Sequence, residues 1–79
     1  MRENYCEPIL EGMKYGVWAF HDNRGFVTYR IVCEGYPVDN PFASFRDIEP
    51  ATFYFNKLER DGNYCFDDQS STLRIIVNQ

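Results

Sequence analysis

The sequence predicts an α+β fold: a small single domain, residues 1–79, with a mostly antiparallel β-sheet and one helix packed on it, in the order β-β-α-β-β. Three observations predict this class. Two β-prone runs flank a cluster of turn formers, a later segment repeats apolar residues at helical spacing, and two more β-prone runs follow. A chain of this length builds one hydrophobic core, so one domain is expected.

The N-terminal segment, residues 1–13, is predicted to be irregular. Three glutamates recur at helical spacing, but Pro8 lies between them and opposes a helix. Ile9 and Leu10 are expected to reach the core as an extended or single-turn piece.

A β-hairpin is predicted over residues 14–33. Residues 14–20 are aromatic and β-branched, residues 21–25 are turn formers, and residues 26–33 form the returning strand. Alternation then separates two faces. One face carries Val27, Tyr29, Ile31 and Cys33, and the other carries Phe26, Thr28, Arg30 and Val32.

A proline-containing loop and a helix follow the hairpin. Residues 34–44 contain two prolines that oppose a central strand, whereas residues 47–61 have helical periodicity. Asp47 as N-cap places Pro50 in the first turn. Ser44 is the alternative cap, but it would put Pro50 in the helix interior at about 3 kcal/mol. Gly62 ends the helix, and residues 63–77 form two C-terminal strands joined by residues 67–71.

The residues that catalysis requires are scarce. The single histidine, His21, lies in a predicted turn, and the cysteines Cys6, Cys33 and Cys65 have no metal-binding spacing. Cys33 and Cys65 lie in apolar runs and are expected to be buried. We therefore predict a protein that is not an enzyme and that has no cofactor and no metal site.

Two features point to binding instead. Aromatic residues make up 18% of the chain, which is more than a core of this size needs, so Tyr36, Phe42 and Phe53 are candidate exposed anchors. The net charge of −4 arises in the second half, because residues 1–33 hold four acids and four bases, whereas residues 34–79 hold eight acids and four bases. The candidate acidic binding residues are Glu49, Glu59, Asp61, Asp67 and Asp68.

These features predict a non-catalytic protein-binding module whose partner has a basic surface, most directly a nucleic-acid-binding protein. Carboxylates on a rigid domain can imitate phosphates and occupy a basic groove. In type, the chain resembles phage-encoded anti-CRISPR and anti-restriction proteins, which are short, acidic, single-domain and without catalytic motifs. That resemblance implies an acidic inhibitor or modulator of a nucleic-acid-handling complex.

Two alternatives remain open. One is a single-stranded nucleic-acid-binding module that uses Arg24, Arg30 and Arg74 with aromatic residues on a sheet face. The low sequence pI of about 4.7 opposes it, so direct nucleic-acid binding is not expected. The other is a dimeric small-ligand binder, since a homodimer would cover surplus aromatic surface. No apolar run is long enough for a membrane span or a secretory signal, so we expect no membrane contact and a cytoplasmic location.

Overall fold

The computed structural model describes residues 3–77 and confirms the α+β class, with antiparallel strands and one helix. The elements in chain order are β1 (Tyr5–Glu11), β2 (Tyr15–His21), β3 (Val27–Cys33), β4 (Tyr36–Pro37), a 3-10 turn (Pro41–Ala43), β5 (Ser44–Phe45), α1 (Ile48–Asp61), β6 (Gly62–Asp67) and β7 (Thr72–Val77). The predicted hairpin, helix and C-terminal strands are all present. The structure adds three strands, β1, β4 and β5.

The strands form two sheets. β1, β2, β3 and β4 are neighbours in a five-stranded sheet, and β5 pairs with β3 next to β4. β6 and β7 pair with each other in a second, two-stranded sheet. A parallel bridge between Val38 and Leu73 joins the two sheets, and the Asp39 N–H donates to the Leu73 carbonyl.

The prediction of an irregular N-terminal segment was wrong over Tyr5–Glu11, which forms the edge strand β1. β1 pairs antiparallel with β2, and the register shifts between Pro8 and Leu10. An edge strand tolerates proline because one of its sides makes no ladder hydrogen bonds. The shift turns Leu10 towards the core, which it contacts as a partly buried residue.

The hairpin of β2 and β3 has the predicted alternation. Ile31 and Cys33 are buried on the face that meets α1, together with Val17 of β2. The turn between these strands is held by Asp22, whose Oδ1 accepts the backbone N–H groups of Arg24 at 2.8 Å and Phe26 at 2.9 Å. This pattern explains how a turn with a single Asp closes the hairpin.

Helix α1 begins after Asp47, which has extended backbone, and its apolar stripe is buried. Pro50 is its third residue, where a missing N–H leaves no intrahelical bond unmade. The chain passes from Asp61 directly into β6 through Gly62, whose φ is −79°. A Cβ at Gly62 would lie 2.7 Å from Leu58 Cδ2 and 2.9 Å from the Leu58 carbonyl oxygen. Glycine therefore permits the close passage from helix to strand.

The core lies between the five-stranded sheet and α1, and β7 closes one end of it. Val17 and Ile31 from the large sheet, Leu58 from α1, and Leu73 and Ile75 from β7 belong to one buried cluster. Among residues 3–77, no helix has the length and apolarity that a membrane crossing requires.

Tyr15 is a polar exception in this core. Its side chain is 2% exposed, and its hydroxyl has no hydrogen-bond partner among the described residues. Burial raises the pKa of Tyr15 to about 12, and nearby acidic groups, Cys33 first, add to the effect. The neutral phenol is thus favoured in the folded state.

We expect this phenol to make the fold sensitive to alkali. Its folded-state pKa lies above the ordinary value of about 10, so its contribution to the free energy of unfolding is complete below pH 10 and declines as pH rises towards 12. Tyr15→Phe should stabilise the domain by about 1 kcal/mol at pH 7, because it removes an unsatisfied buried hydroxyl. It should also reduce the alkaline loss of stability.

Urea unfolding between pH 7 and pH 11.5 measures both effects. Burial also raises the pKa of Tyr54 and Cys33, and the nearby Glu34 carboxylate raises that of Tyr64, so the variant should keep a smaller alkaline slope. Equal slopes for the wild type and Tyr15→Phe would contradict the assignment.

Candidate interaction surface

Four of the eight predicted binding residues lie where the loop after β3 passes the β6–β7 hairpin. We call this region the seam surface, and it comprises Tyr36, Asp39, Phe42, Phe66, Asp67, Asp68 and Arg74. The Val38–Leu73 bridge brings its two parts together. The sequence predicted Tyr36, Phe42, Asp67 and Asp68, and the structure adds the other three.

Two exposed rings form the aromatic part of the seam surface. Tyr36 and Phe66 meet edge to face, with ring centroids 5.5 Å apart and planes at 69°. Despite this contact the two residues remain 47% and 49% exposed. Edge-to-face contact fixes both rings, so a partner would meet a preformed aromatic surface.

Phe42 stands at the other end of the seam surface and is 71% exposed. It lies in the 3-10 turn, where the Asn40 side chain accepts the Phe42 N–H at 2.9 Å. Asp39, Phe42 and Arg74 line one shallow depression of the surface. The turn therefore holds this ring beside a charged group.

Arg74 organises the charges of the seam surface. Its Nε lies 3.1 Å from Asp67 Oδ2 and 3.7 Å from Asp39 Oδ2. The other Asp67 oxygen accepts the Gln69 N–H at 3.1 Å, and this bond, followed by Ser70 and Arg74, lowers the pKa of the Asp67 carboxyl. Asp39 and Asp67 thus pair with one guanidinium, and Asp68, the next residue along the chain, is exposed, which leaves the surface acidic.

The other predicted residues lie away from the seam surface on α1. Glu49 and Phe53 are exposed and one helical turn apart, and Phe53 is 75% exposed. Asp61 accepts a bond from Arg60 Nε at 2.9 Å.

Glu59 is engaged within the domain. Its carboxylate accepts the backbone N–H groups of Met13 at 3.1 Å, Lys14 at 2.9 Å and Tyr15 at 2.6 Å. These bonds tie the turn between β1 and β2 to the end of α1. A carboxylate with three internal donors has little capacity left for a partner.

The expectation that Cys65 is buried was wrong, because Cys65 is exposed, whereas Cys33 is buried as predicted. Cys65 pairs with Arg74 on the outer face of the two-stranded sheet. Only the inner face of that sheet packs against the core, so alternate residues of an apolar run point outward.

His21, the candidate base, is held by its neighbours. Its ring stacks on Tyr5 with centroids 4.2 Å apart, and its Nε2 lies 3.2 Å from Glu7 Oε1. Within residues 3–77, no group of three or more His, Cys, Asp or Glu side chains is arranged to hold a metal ion.

Comparison of the chain with protein-family models, with curated proteins and with solved structures found no match.

Proposed function

We propose that this chain is a non-catalytic protein-binding module that docks its seam surface on a partner with a basic surface. The observation that carries the proposal is the exposed Tyr36–Phe66 ring pair. The carboxylates around Arg74 lie on the other face of the same end of the β6–β7 hairpin. Tyrosine and arginine are enriched among the residues that contribute most to protein interfaces.

The aromatic part would supply affinity. Each ring keeps about half of its surface in contact with water, and burial of that surface under a partner is favourable at roughly 25 cal/mol per Å². Because the pair is already in contact, few rotamers would be lost on binding.

The charged part would supply orientation. Asp39, Asp67 and Asp68 outnumber Arg74, so the surface attracts a basic partner and repels an acidic one. A narrower role accords with this charge: inhibition or modulation of a nucleic-acid-handling complex, in which these carboxylates occupy positions that phosphates otherwise take.

The experiment is a quantitative pull-down from host lysate with the purified chain, run in parallel with and without nuclease. We expect a stoichiometric protein partner that survives nuclease and that heparin displaces in competition for a basic surface. Recovery of nucleic acid alone, or loss of every partner after nuclease treatment, would contradict the proposal.

The variants locate the contact. Tyr36→Ala combined with Phe66→Ala should weaken binding of the captured partner by at least about 2 kcal/mol, roughly thirty-fold. Phe53→Ala, which removes an equally exposed ring from α1, should leave the affinity unchanged. If Phe53→Ala weakens binding more than the double variant does, the interface lies on the helix and the seam assignment is wrong.

A further inference from the structure

We propose that the face of the five-stranded sheet opposite α1 binds single-stranded nucleic acid, with bases stacked on its aromatic rings and phosphates held by its arginines. We call this surface the open face, and it comprises Trp18, Phe20, Phe26, Thr28, Arg30 and Arg46. The proposal does not depend on the seam surface, which lies at the junction of the two sheets.

Strand register places these residues side by side. Phe20 pairs with Thr28 and Trp18 with Arg30 across β2 and β3. The opposite face of β2 carries Val17 and Ala19, which are buried, so Trp18 and Phe20 point away from the core. α1 covers only one face of the sheet, and this alternation puts two aromatic rings on the other.

Arg30 and Arg46 flank these rings. The Arg30 guanidinium carbon lies 4.7 Å above the centroid of the Phe20 ring. Ser44 of β5 pairs with Arg30 and Phe45 pairs with Tyr29, so Arg46 continues the strand towards Thr28. The open face therefore has its rings on β2 and its guanidinium groups on β3 and after β5, with the Arg30 group over the Phe20 ring.

Phe26 completes the open face at its end. It is 68% exposed and lines two adjoining depressions. One has a volume of about 380 Å³ and includes Phe20, Thr28 and Arg30, and the other includes Thr28 and Arg46. An exposed ring between two arginines offers a stacking surface for a base and donors for the phosphates on either side.

Trp18 lies along the same face. A Cβ on Gly16 would stand 3.6 Å from Trp18 Nε1, so the indole extends over a position that has no side chain. This placement leaves the face flat enough for unstacked bases, as in sheet-surface modules that bind single strands. Trp18 is also the single tryptophan of the chain, so its fluorescence reports on this face alone.

The charges of the molecule are separated in a way that the net value conceals. Arg24, Arg30 and Arg46 are exposed, and within residues 3–77 none of them forms an ion pair. Arg74, which the sequence offered as a third phosphate contact, is paired with Asp39 and Asp67 on the seam surface instead.

Four acids border the open face. Asp22 lines the first depression, but its Oδ1 accepts the Arg24 and Phe26 N–H groups of the turn. Glu11 pairs with Gly16, so it lies at the Trp18 end of the open face, away from Phe26 and Arg46. Asp47 and Glu49 share a depression with Arg46, but within residues 3–77 neither forms an ion pair with it. Phosphate binding at Arg30 and Arg46 would therefore displace no internal ion pair.

The test uses fluorescein-labelled twelve-nucleotide dT and U strands in 50 mM salt, with anisotropy and Trp18 emission recorded together. We expect saturable binding that quenches Trp18 and weakens as salt rises. Phe26→Ala should weaken binding about ten-fold, because one stacked base loses its ring. Arg30→Glu combined with Arg46→Glu should weaken it at least ten-fold and reduce the salt slope by about 1.4.

Matched variants keep the test specific. Phe53→Ala removes an exposed ring and Arg60→Glu reverses an exposed arginine, both on α1, and each should bind as the wild type does. Equal thermal melting of all variants establishes that the fold is intact. If a variant melts differently, its binding result is replaced by a measurement on the wild type. In that measurement acrylamide quenches Trp18 with and without the bound strand, and an equal accessibility of Trp18 to acrylamide in both states overturns the proposal.

Three further results would overturn the proposal. One is the absence of binding to either strand at 50 mM salt. Another is that polyglutamate binds as tightly as the nucleic-acid strands and that no ligand quenches Trp18, which would indicate a general anion site. The third is equal loss of binding in the α1 control variants. A failure here leaves the pull-down and the Tyr36 and Phe66 variants unaffected, so the two proposals are tested separately.

Discussion

Glu59→Ala is expected to lower the free energy of unfolding by about 3 kcal/mol, because three backbone N–H groups lose one acceptor. Hydrogen bonds to a charged group contribute about 1.5–3 kcal/mol each when buried, and less here because two of the three are exposed. The turn between β1 and β2 would lose its tie to α1, and β1 would be held by its pairing with β2 and by the core contact of Leu10.

Urea unfolding measures the change, and Glu49→Ala on the same helix is its control. Glu49 is exposed in the first turn and should contribute only about 0.5 kcal/mol through the helix dipole. Hydrogen exchange should also become faster at Met13, Lys14 and Tyr15. If Glu59→Ala lowers the free energy of unfolding by less than 1 kcal/mol, the Glu59 carboxylate does not stabilise the contact between this turn and α1 as proposed.

Leu58→Ala should have an effect of similar or larger size, about 4 kcal/mol. Leu58 is fully buried and belongs to the cluster in which the large sheet, α1 and β7 meet. Removal of its side chain would leave a cavity beside Gly62, whose backbone cannot move inward without disturbing the passage from α1 to β6.

Phe53→Ala is the control for Leu58→Ala, since it removes a larger side chain from the exposed side of the same helix. Its free energy of unfolding should stay within about 0.5 kcal/mol of the wild type. Because small domains are stable by only about 5–15 kcal/mol, Leu58→Ala should also unfold at a clearly lower temperature. Equal losses in the two variants would contradict the placement of the core.

Local patterns were sufficient to predict the elements whose signals lie within a few residues. The turn formers from Asp22 to Gly25 predicted the β2–β3 hairpin, and the spacing of Ala51, Phe55 and Leu58 predicted α1. β1 was missed because Tyr5–Glu11 has no clear alternation and contains Pro8. Its extended form depends on the edge of β2, which is a tertiary partner rather than a local preference.

The candidate site could be predicted only in part, for a similar reason. The exposure of Tyr36 and Phe42 follows from their place in a proline-containing loop. The contact between Tyr36 and Phe66 joins residues thirty positions apart, which the pairing of Val38 and Asp39 with Leu73 brings together. No local signal marks Phe66 as exposed, since Tyr64 in the same strand is partly buried.

The partner of a charged side chain was the feature least predictable from the neighbouring sequence. Glu59 resembles Glu49 in the sequence, yet its partners lie about 45 residues away. Arg74 and Arg46 likewise cannot be told apart by composition, although Arg74 is paired on the seam surface and Arg46 is exposed beside Phe26. The net charge therefore does not indicate that the seam surface is acidic or that the open face carries arginines that are unpaired among the described residues.

Hydrogen–deuterium exchange on the complex with the captured partner shows which residues the partner covers. We expect binding to slow exchange at residues 36–42 and 66–74, while the outer face of α1 around Phe53 exchanges as in the free protein. Protection confined to α1, with no change at Tyr36 and Phe66, would contradict the seam surface as the site of protein binding.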